Sequence, residues 1–181
     1  MTKSVFKVGF SLFFMMIYLF GQSQTNTNNA FQASGKTFSN KGLYPKLYTC
    51  DSLGISPGLQ WSGAPSGTNY FAITMHHIAK DGEKHVYMVV YDIPKNNKQI
   101  PDAVTGIGQW GVNTVNRQNN YTPPCSKGPG PKTYLITVYA LSEKPNIAVP
   151  KERISMDLLL EAIKPITLAS SVVEVTYSRP K

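Results

Sequence analysis

Three histidines surround one short polar break in the sequence, and they are the only histidines in the chain. They are His76, His77 and His85, and the residues on either side of the break form two apolar, β-branched runs. Imidazoles can bind a transition metal, transfer protons or donate hydrogen bonds to an anion. Asp81 and Gly82 form a natural turn within the break, so the two runs are expected to form a β-hairpin.

Such a hairpin would make His77 and His85 cross-strand neighbours. Directly opposed Cβ atoms lie about 4.5–5.5 Å apart, so both imidazoles could share one ligand. Because side chains alternate along a strand, Tyr87 should lie on the same face as His85, and His76 should point away. A zinc site needs more ligands than this pair supplies.

Three interpretations of the histidines stay open at this point. The first is a metal-free pocket, and the second is a bound transition metal such as zinc or copper on His76, His77 and His85. The third is a set of ordinary hydrogen-bonded histidines at strand ends. The first and third interpretations need no cofactor.

Signatures of catalysis are weak elsewhere in the chain. Nucleophilic catalysis needs a serine or cysteine beside a histidine and an orienting acid. Ser56, in the segment "ISPG", resembles a structural turn serine. There is no Gly-x-Ser-x-Gly motif and no phosphate-binding glycine loop ending in Lys. The acids nearest the histidines, Asp81 and Glu83, lie in the turn. The sequence therefore favours a binding protein without catalytic residues over an enzyme.

The elements that must position the histidines are mainly β-strands. Short runs rich in Val, Ile, Tyr and Thr alternate with 13 prolines and 14 glycines, a spacing typical of a mainly β domain. The candidate strands are 70–77, 85–93, 134–141 and 172–177, with shorter ones within 31–38 and 58–61. In 134–141 the odd-numbered and the even-numbered positions are both mainly apolar, so this strand should be central and covered on both faces.

One helix and one long loop complete the predicted elements. Ser155 is a suitable N-cap, and the apolar residues Met156, Leu159, Leu160 and Ile163 share one helical face before Pro165 interrupts the pattern. The stretch 95–132 is heavy in Gly, Pro, Asn and Gln. A loop of that length inside a domain is usually functional or disordered.

The N-terminal residues have the order of a secretory signal peptide. Two lysines precede an uncharged apolar run, 8–20, and small or polar residues follow it. The expected division is a signal peptide at 1–23, a flexible leader at 24–30 and one domain at 31–181. We therefore expect export to a periplasm or the cell exterior, without a stable membrane span after cleavage. An uncleaved membrane anchor is the alternative.

The formal net charge of +8 comes largely from scattered lysines. The chain has three arginines and no basic run, whereas nucleic-acid-binding proteins concentrate positive charge on one face or stripe. We therefore expect no nucleic-acid partner and a weak preference for anionic ligands or surfaces.

The chain has two cysteines, Cys50 and Cys125. In an exported protein, two thiols are most simply one disulfide, and free buried thiols or a redox pair are the alternatives. A bridge across so long a loop would contribute roughly 3–5 kcal/mol of stability in the loop-entropy model.

A resemblance to a known family is carried by residues 50–73, "CDSLGISPGLQWSGAPSGTNYFAI". This block resembles the signature of the phosphatidylethanolamine-binding protein family. Its bacterial Raf-kinase-inhibitor-like branch reads close to Cys-Asp-Gly-x-Asn-x-Ser-Pro-Pro-Leu-x-Trp and then Pro-x-Gly-Thr. "VVYDIP" at 89–94, "YTPPCSKGPGPKTYLITVYAL" at 121–141 and the C-terminal "VVEVTYSRP" are similar to later family segments. The resemblance covers nearly all of the mature chain.

The resemblance implies both a fold and a site. The implied fold is a large central β-sheet packed on a smaller sheet, with peripheral helices. The implied site is a small pocket at one end of the sheet that accepts phosphate-like or carboxylate head groups. The family has been linked to phospholipids, nucleotides and kinases, and export would make a cytosolic kinase an improbable partner. The bacterial branch often has a cysteine pair at the positions of Cys50 and Cys125.

The chain departs from the family at this pocket. The family's Asp-Pro-Asp-Ala-Pro motif aligns with "HHIAKD", which places His77 at the first Asp. Tyr87 and Lys132 align with two family histidines, whereas Tyr134 keeps the family tyrosine. These exchanges would make the pocket more positive if the side chains point inward. Because the resemblance implies a ligand site at this place, the metal-free pocket is favoured among the three interpretations, with no cofactor. The expected ligand-binding residues are His77, His85, Tyr87, Lys132 and Tyr134.

The leading hypothesis is therefore an exported protein, monomeric or homodimeric, that binds a small anionic ligand or phospholipid head group. The alternative is a metal-binding protein or metal-dependent hydrolase that uses His77 and His85 with His76 or a turn acid. A surface for another protein is a third possibility.

Overall fold

One long antiparallel hairpin organises the fold of this computed structural model. The structure describes Met1 and residues 30–125 and 130–179, so the expected signal peptide and nearly all of the leader lie outside the described residues. The strands are β1 (Gln32–Gly35), β2 (Gly42–Leu43), β3 (Leu59–Ser62), β4 (Tyr70–Ile78), β5 (Lys84–Pro94), β6 (Gln99–Ile100), β7 (Gln109–Trp110), β8 (Lys132–Leu141) and β9 (Thr167–Tyr177). The helix α1 spans Met156–Ile163, and short 3-10 turns occur at Lys46–Tyr48, Lys151–Arg153 and Lys164–Ile166.

The strands form two sheets. The larger sheet has the order β2-β9-β8-β4-β5-β7, and the smaller has the order β1-β3-β6. Neighbouring strands are antiparallel except for the β2–β9 pair, which is parallel. This architecture confirms the predicted mainly β fold with a large sheet packed on a smaller one. The strand predicted to be central, β8, lies between β4 and β9.

The β4–β5 hairpin turns where the sequence predicted. Gly82 adopts a φ of 87°, a left-handed conformation that glycine adopts without steric cost, and the Ala79 amide donates to the Glu83 carbonyl at 2.8 Å. His77 lies directly opposite His85 in the register. The predicted cross-strand pairing of these two histidines is therefore confirmed.

A β-bulge interrupts this hairpin one residue before the histidine pair. The register passes from Met75 opposite Met88 to His76 opposite Val86, so Tyr87 is an extra residue on β5. Met88 and Tyr87 consequently both face the core between the two sheets, although they are consecutive.

The core lies on both faces of the larger sheet. Between the sheets it is rich in aromatic side chains, including Tyr44, Tyr48, Trp61, Phe71 and Tyr134. On the opposite face α1 buries Met156, Leu159 and Ile163. The helix begins where predicted, because the Ser155 hydroxyl accepts a hydrogen bond from the Leu158 amide at 3.3 Å. Among the helices within the described residues, none is both long and apolar enough to span a membrane.

His76 lies on the α1 side of the larger sheet, since its cross-strand neighbour Val86 belongs to the core beneath α1. Burial lowers the pKa of His76, and the nearby Lys84 ammonium lowers it further, while Asp157 on α1 opposes the shift. The Nδ1 atom of His76 is buried without a hydrogen-bond partner in the part of the chain that the structure describes. The folded protein therefore favours the neutral form of this imidazole.

The stability of the protein should consequently fall in mild acid. As the pH drops through about 6.5, the unfolded chain protonates His76 before the folded chain does, so the free energy of unfolding decreases. His76→Gln is expected to reduce this dependence between about pH 5 and 7. Urea denaturation at several pH values measures the free energy of unfolding. If it changes with pH in the variant as steeply as in the parent protein, His76 is not the cause of the dependence.

Candidate functional site

A cavity of about 570 Å³ opens at the end of the larger sheet where β4 turns into β5. All five residues that the sequence predicted to bind a ligand line it: His77, His85, Tyr87, Lys132 and Tyr134. The other lining residues are Ala79, Glu83, Thr114, Val115, Pro123 and Cys125. The structure thus brings the predicted set together at one end of the sheet, and the role of these residues in binding stays a prediction.

Tyr134 on β8 forms the deepest part of this cavity. Its side chain is fully buried, and its ring lies 5.4 Å from the rings of both His77 and Tyr87. The Tyr134 hydroxyl has no hydrogen bond of good geometry among the described residues, although the Tyr87 hydroxyl is close enough to interact with it. Burial raises the pKa of Tyr134, and the Tyr87 hydroxyl raises it further, so the Tyr134 hydroxyl keeps its proton at neutral pH. It is therefore a buried donor whose contact with Tyr87 is poorly aligned.

The two imidazoles of the pair face each other above Tyr134. The ring centroids of His77 and His85 are 6.3 Å apart, with 13° between the ring planes. The His77 Nδ1 atom lies 2.8 Å from the Thr133 carbonyl oxygen. Because a carbonyl can only accept, Nδ1 carries the proton in this contact. The other nitrogen, Nε2, is an acceptor in the neutral ring and becomes a donor when the ring is protonated.

The cavity combines positive and negative groups. Lys132 is half-buried at the start of β8, whereas Glu83 places its carboxylate 3.8 Å from the His85 Nε2 atom. The sequence predicted the cationic and neutral donors of the pocket but did not predict that Glu83 lines it. Since the Glu83 side chain is two-thirds exposed, its effect on His85 is weak.

His76 does not join the other two histidines. It occupies the opposite face of β4, as strand alternation predicted, so the three-histidine metal set is not assembled. In residues 30–125 and 130–179, no group of three or more His, Cys, Asp and Glu side chains is arranged to hold a metal ion.

The long loop between β7 and β8 forms one wall of the cavity. Thr114 attaches this loop to β5, because its amide donates to the Val86 carbonyl at 3.1 Å and its hydroxyl accepts from the Val86 amide at 2.8 Å. Val115 and Pro123 line the cavity from the same loop. The sequence marked the stretch as functional or disordered but did not identify Thr114 and Val115.

Asn113 holds the loop in shape. Its side chain is 1 % exposed, and its Nδ2 atom lies within 3.2 Å of four oxygens on Asn116, Gln118 and Asn120. Its Oδ1 atom accepts from the amides of Val115 and Asn116, each at 2.9 Å. One buried amide therefore determines the conformation of the segment that carries Thr114 and Val115.

The cysteine pair fixes the end of the same loop. Cys50 and Cys125 have their Cα atoms 5.3 Å apart, a separation compatible with the predicted disulfide. The Cys50 amide also donates to the Pro124 carbonyl at 3.1 Å. Because Cys125 lines the cavity, this bridge connects the cavity wall to the segment that precedes β3.

Comparison with known proteins gives consistent results. The family model described as "Phosphatidylethanolamine-binding protein" matches residues 34–178. A UPF0098 protein from Aquifex aeolicus is 35% identical over 114 residues, which are 59% of this chain and 66% of that protein. A UPF0098 protein from Chlamydia muridarum is 28% identical over 156 residues, which are 82% of this chain and 99% of that protein.

Two solved structures share the fold. A phosphatidylethanolamine-binding protein homologue from Chlamydia trachomatis superposes with a TM-score of 0.76 at 24% identity, covering 84% of this chain and 99% of that one. Escherichia coli YbcL, described as a member of the mammalian PEBP family, superposes with a TM-score of 0.73 at 22% identity, covering 83% and 99%.

Proposed function

This chain belongs to the phosphatidylethanolamine-binding protein family, and on that premise we propose that it binds a small phosphate- or carboxylate-bearing ligand in the cavity at the hairpin end. Binding is the whole function in this proposal, with no catalytic step. The ligand is a free anion or the head group of a phospholipid. Tyr134, His77, His85, Tyr87 and Lys132 supply the donors.

The buried hydroxyl of Tyr134 carries the proposal. A buried donor without a well-aligned acceptor is costly, and few buried polar groups in folded proteins lack one. An oxyanion on the cavity floor would accept that hydrogen bond. The Lys132 ammonium adds a charge-assisted contact, which is stronger than a neutral hydrogen bond, and His77 adds another through Nε2 when its ring is protonated.

The position of Glu83 favours a zwitterionic ligand over a simple anion. Its carboxylate lines the cavity, lies 3.8 Å from the His85 Nε2 atom and is largely exposed. A ligand with a phosphate and an ammonium group could place the phosphate near Tyr134 and the ammonium near Glu83. O-phosphoethanolamine, the head group of phosphatidylethanolamine, has this arrangement of charges.

Titration of the protein with inorganic phosphate and with O-phosphoethanolamine tests the proposal. Tyr134→Phe removes only the hydroxyl and is expected to weaken binding by about tenfold, and Lys132→Ala by a similar factor. Isothermal calorimetry or NMR measures the dissociation constants. Tyr139→Phe is the matched control, because Tyr139 lies on the same strand but belongs to the α1 side. Unchanged affinities in Tyr134→Phe and Lys132→Ala would refute the proposal.

Metal binding is the second candidate function, and one observation favours it. The His77 Nδ1 atom is held by a backbone carbonyl, which is the usual support for a histidine that binds a metal through its other nitrogen. Elemental analysis of untagged protein, repeated on His77→Ala/His85→Ala, separates the two functions. A stoichiometric metal that the double variant loses would favour the metal site over the anion site.

Export to the periplasm or the cell exterior is part of the same proposal. The order of charged, apolar and small residues at the N-terminus supports it, and so does the closeness of Cys50 and Cys125, because disulfides persist in oxidising compartments.

A further inference from the structure

A second cavity, of about 350 Å³, lies near the opposite end of the same strands. Phe71 on β4 lines it, whereas His77 on β4 lines the first cavity. These two residues are six positions apart, so at a rise of about 3.3 Å per residue the cavities are about 20 Å apart. They are therefore separate sites.

Trp61 is the buried polar residue of this second cavity. Its side chain is 5 % exposed, and its ring packs 5.0 Å from that of Phe71. The indole Nε1 atom is buried and has no hydrogen-bond partner within the described part of the chain. An indole N–H can only donate, so its missing partner is an acceptor.

Two lysines provide the charge at the cavity mouth. Lys95 and Lys98 line the cavity and are exposed, and no Asp or Glu is among its lining residues. Lys95 donates to the Asn69 side-chain oxygen at 3.2 Å, which leaves further ammonium hydrogens for another acceptor. Glu143 lines an adjoining cavity together with Lys95, yet neither lysine forms an ion pair among the described residues.

The remaining lining residues are mixed in character. Ala64, Pro65 and Phe71 contribute apolar surface, and Ser62, Thr68 and Asn96 contribute polar surface. Small-molecule sites combine apolar surface with a few polar groups, and this volume is at the lower end of their usual range. Cationic ligands are disfavoured by the two lysines, and a ligand without an acceptor would leave the Trp61 donor unpaired.

We propose that this cavity is a second ligand site, specific for small molecules that carry an oxyanion on a compact apolar body. The oxyanion contacts Lys95 and Lys98 and accepts from the Trp61 indole, while the apolar body packs on Pro65 and Phe71. Carboxylates and phosphate monoesters share this chemistry. The site does not depend on the function proposed for the first cavity.

The indole N–H of Trp61 is a direct reporter of this site. The chain has two tryptophans, and Trp110→Phe assigns the two indole resonances in a proton–nitrogen NMR spectrum. Titration with phenyl phosphate and with benzoate is expected to shift the Trp61 resonance to saturation, with millimolar dissociation constants. Lys95→Ala/Lys98→Ala should weaken this binding by about tenfold.

Lys151→Ala/Lys164→Ala is the matched control, since it removes the same charge from exposed positions that do not line the cavity. The Tyr134→Phe and Lys132→Ala proteins should show an unchanged Trp61 response, which distinguishes this site from the first cavity. Saturation by one probe alone supports the site and identifies its oxyanion. No saturable shift with either probe, or equal binding by Lys95→Ala/Lys98→Ala, would overturn the proposal.

Discussion

Replacement of both Cys50 and Cys125 by serine is expected to lower the free energy of unfolding by about 4 kcal/mol. The two cysteines are 75 residues apart in sequence, and a cross-link over so long a loop removes much conformational freedom from the unfolded chain. Loss of the disulfide should also weaken ligand binding in the first cavity, because the disulfide holds the wall that contains Pro123 and Cys125.

Urea denaturation of the parent protein and of Cys50→Ser/Cys125→Ser, each with and without reductant, measures this contribution. The reductant should destabilise the parent protein to the level of the double variant and leave the variant unchanged. A parent protein with two reactive thiols before reduction would contradict the disulfide. A variant within about 1 kcal/mol of the oxidised parent would instead contradict the expected magnitude.

Asn113→Asp is expected to destabilise the protein by about 3 kcal/mol or more at neutral pH. The change replaces the Nδ2 donor with an oxygen in a buried position that four oxygens surround within 3.2 Å. The carboxylate would lose every donor contact and repel its neighbours. Burial would raise the pKa of the new carboxyl, so the variant should lose stability as the pH rises from about 4 to 7.

Urea denaturation as a function of pH measures both effects, and Asn97→Asp is the matched control. The Asn97 side chain donates one exposed hydrogen bond, to the Pro94 carbonyl, so the same change there should cost little. Equal stabilities of the two variants at neutral pH would show that Asn113 does not hold the loop. Ligand affinity should also decrease in Asn113→Asp, because the loop carries Thr114 and Val115 to the cavity.

The elements with strong local patterns could be predicted from the sequence. The runs that form β4, β5, β8 and the end of β9 combine β-branched and aromatic residues with clear turn signals, and Ser155 marks the start of α1. The two-residue strands β2, β6 and β7 were not predicted, because they are too short to show any periodicity. They exist through pairing with partners that are distant in sequence.

The candidate site was predictable only in part, for the same reason. Alternation along β4 and β5 was sufficient to pair His77 with His85 and to place His76 on the other face, and the family resemblance added Lys132 and Tyr134. Thr114 and Val115 were not predicted, since their position depends on the hydrogen bonds of Asn113. The Trp61 cavity requires the docking of one sheet on the other, and no local pattern encodes it.

The bulge at Tyr87 has a consequence for how this scaffold can diverge. Because Tyr87 is an extra residue relative to β4, deletion of this one residue would restore regular pairing around it without inverting the rest of the hairpin. The second register shift, between Phe71 and Ile73, would remain. His77 and His85 would still pair across the strands, while the first cavity would lose the aromatic ring of Tyr87. Related chains could therefore acquire new selectivity through a one-residue insertion or deletion, with the opposite side of the sheet left untouched.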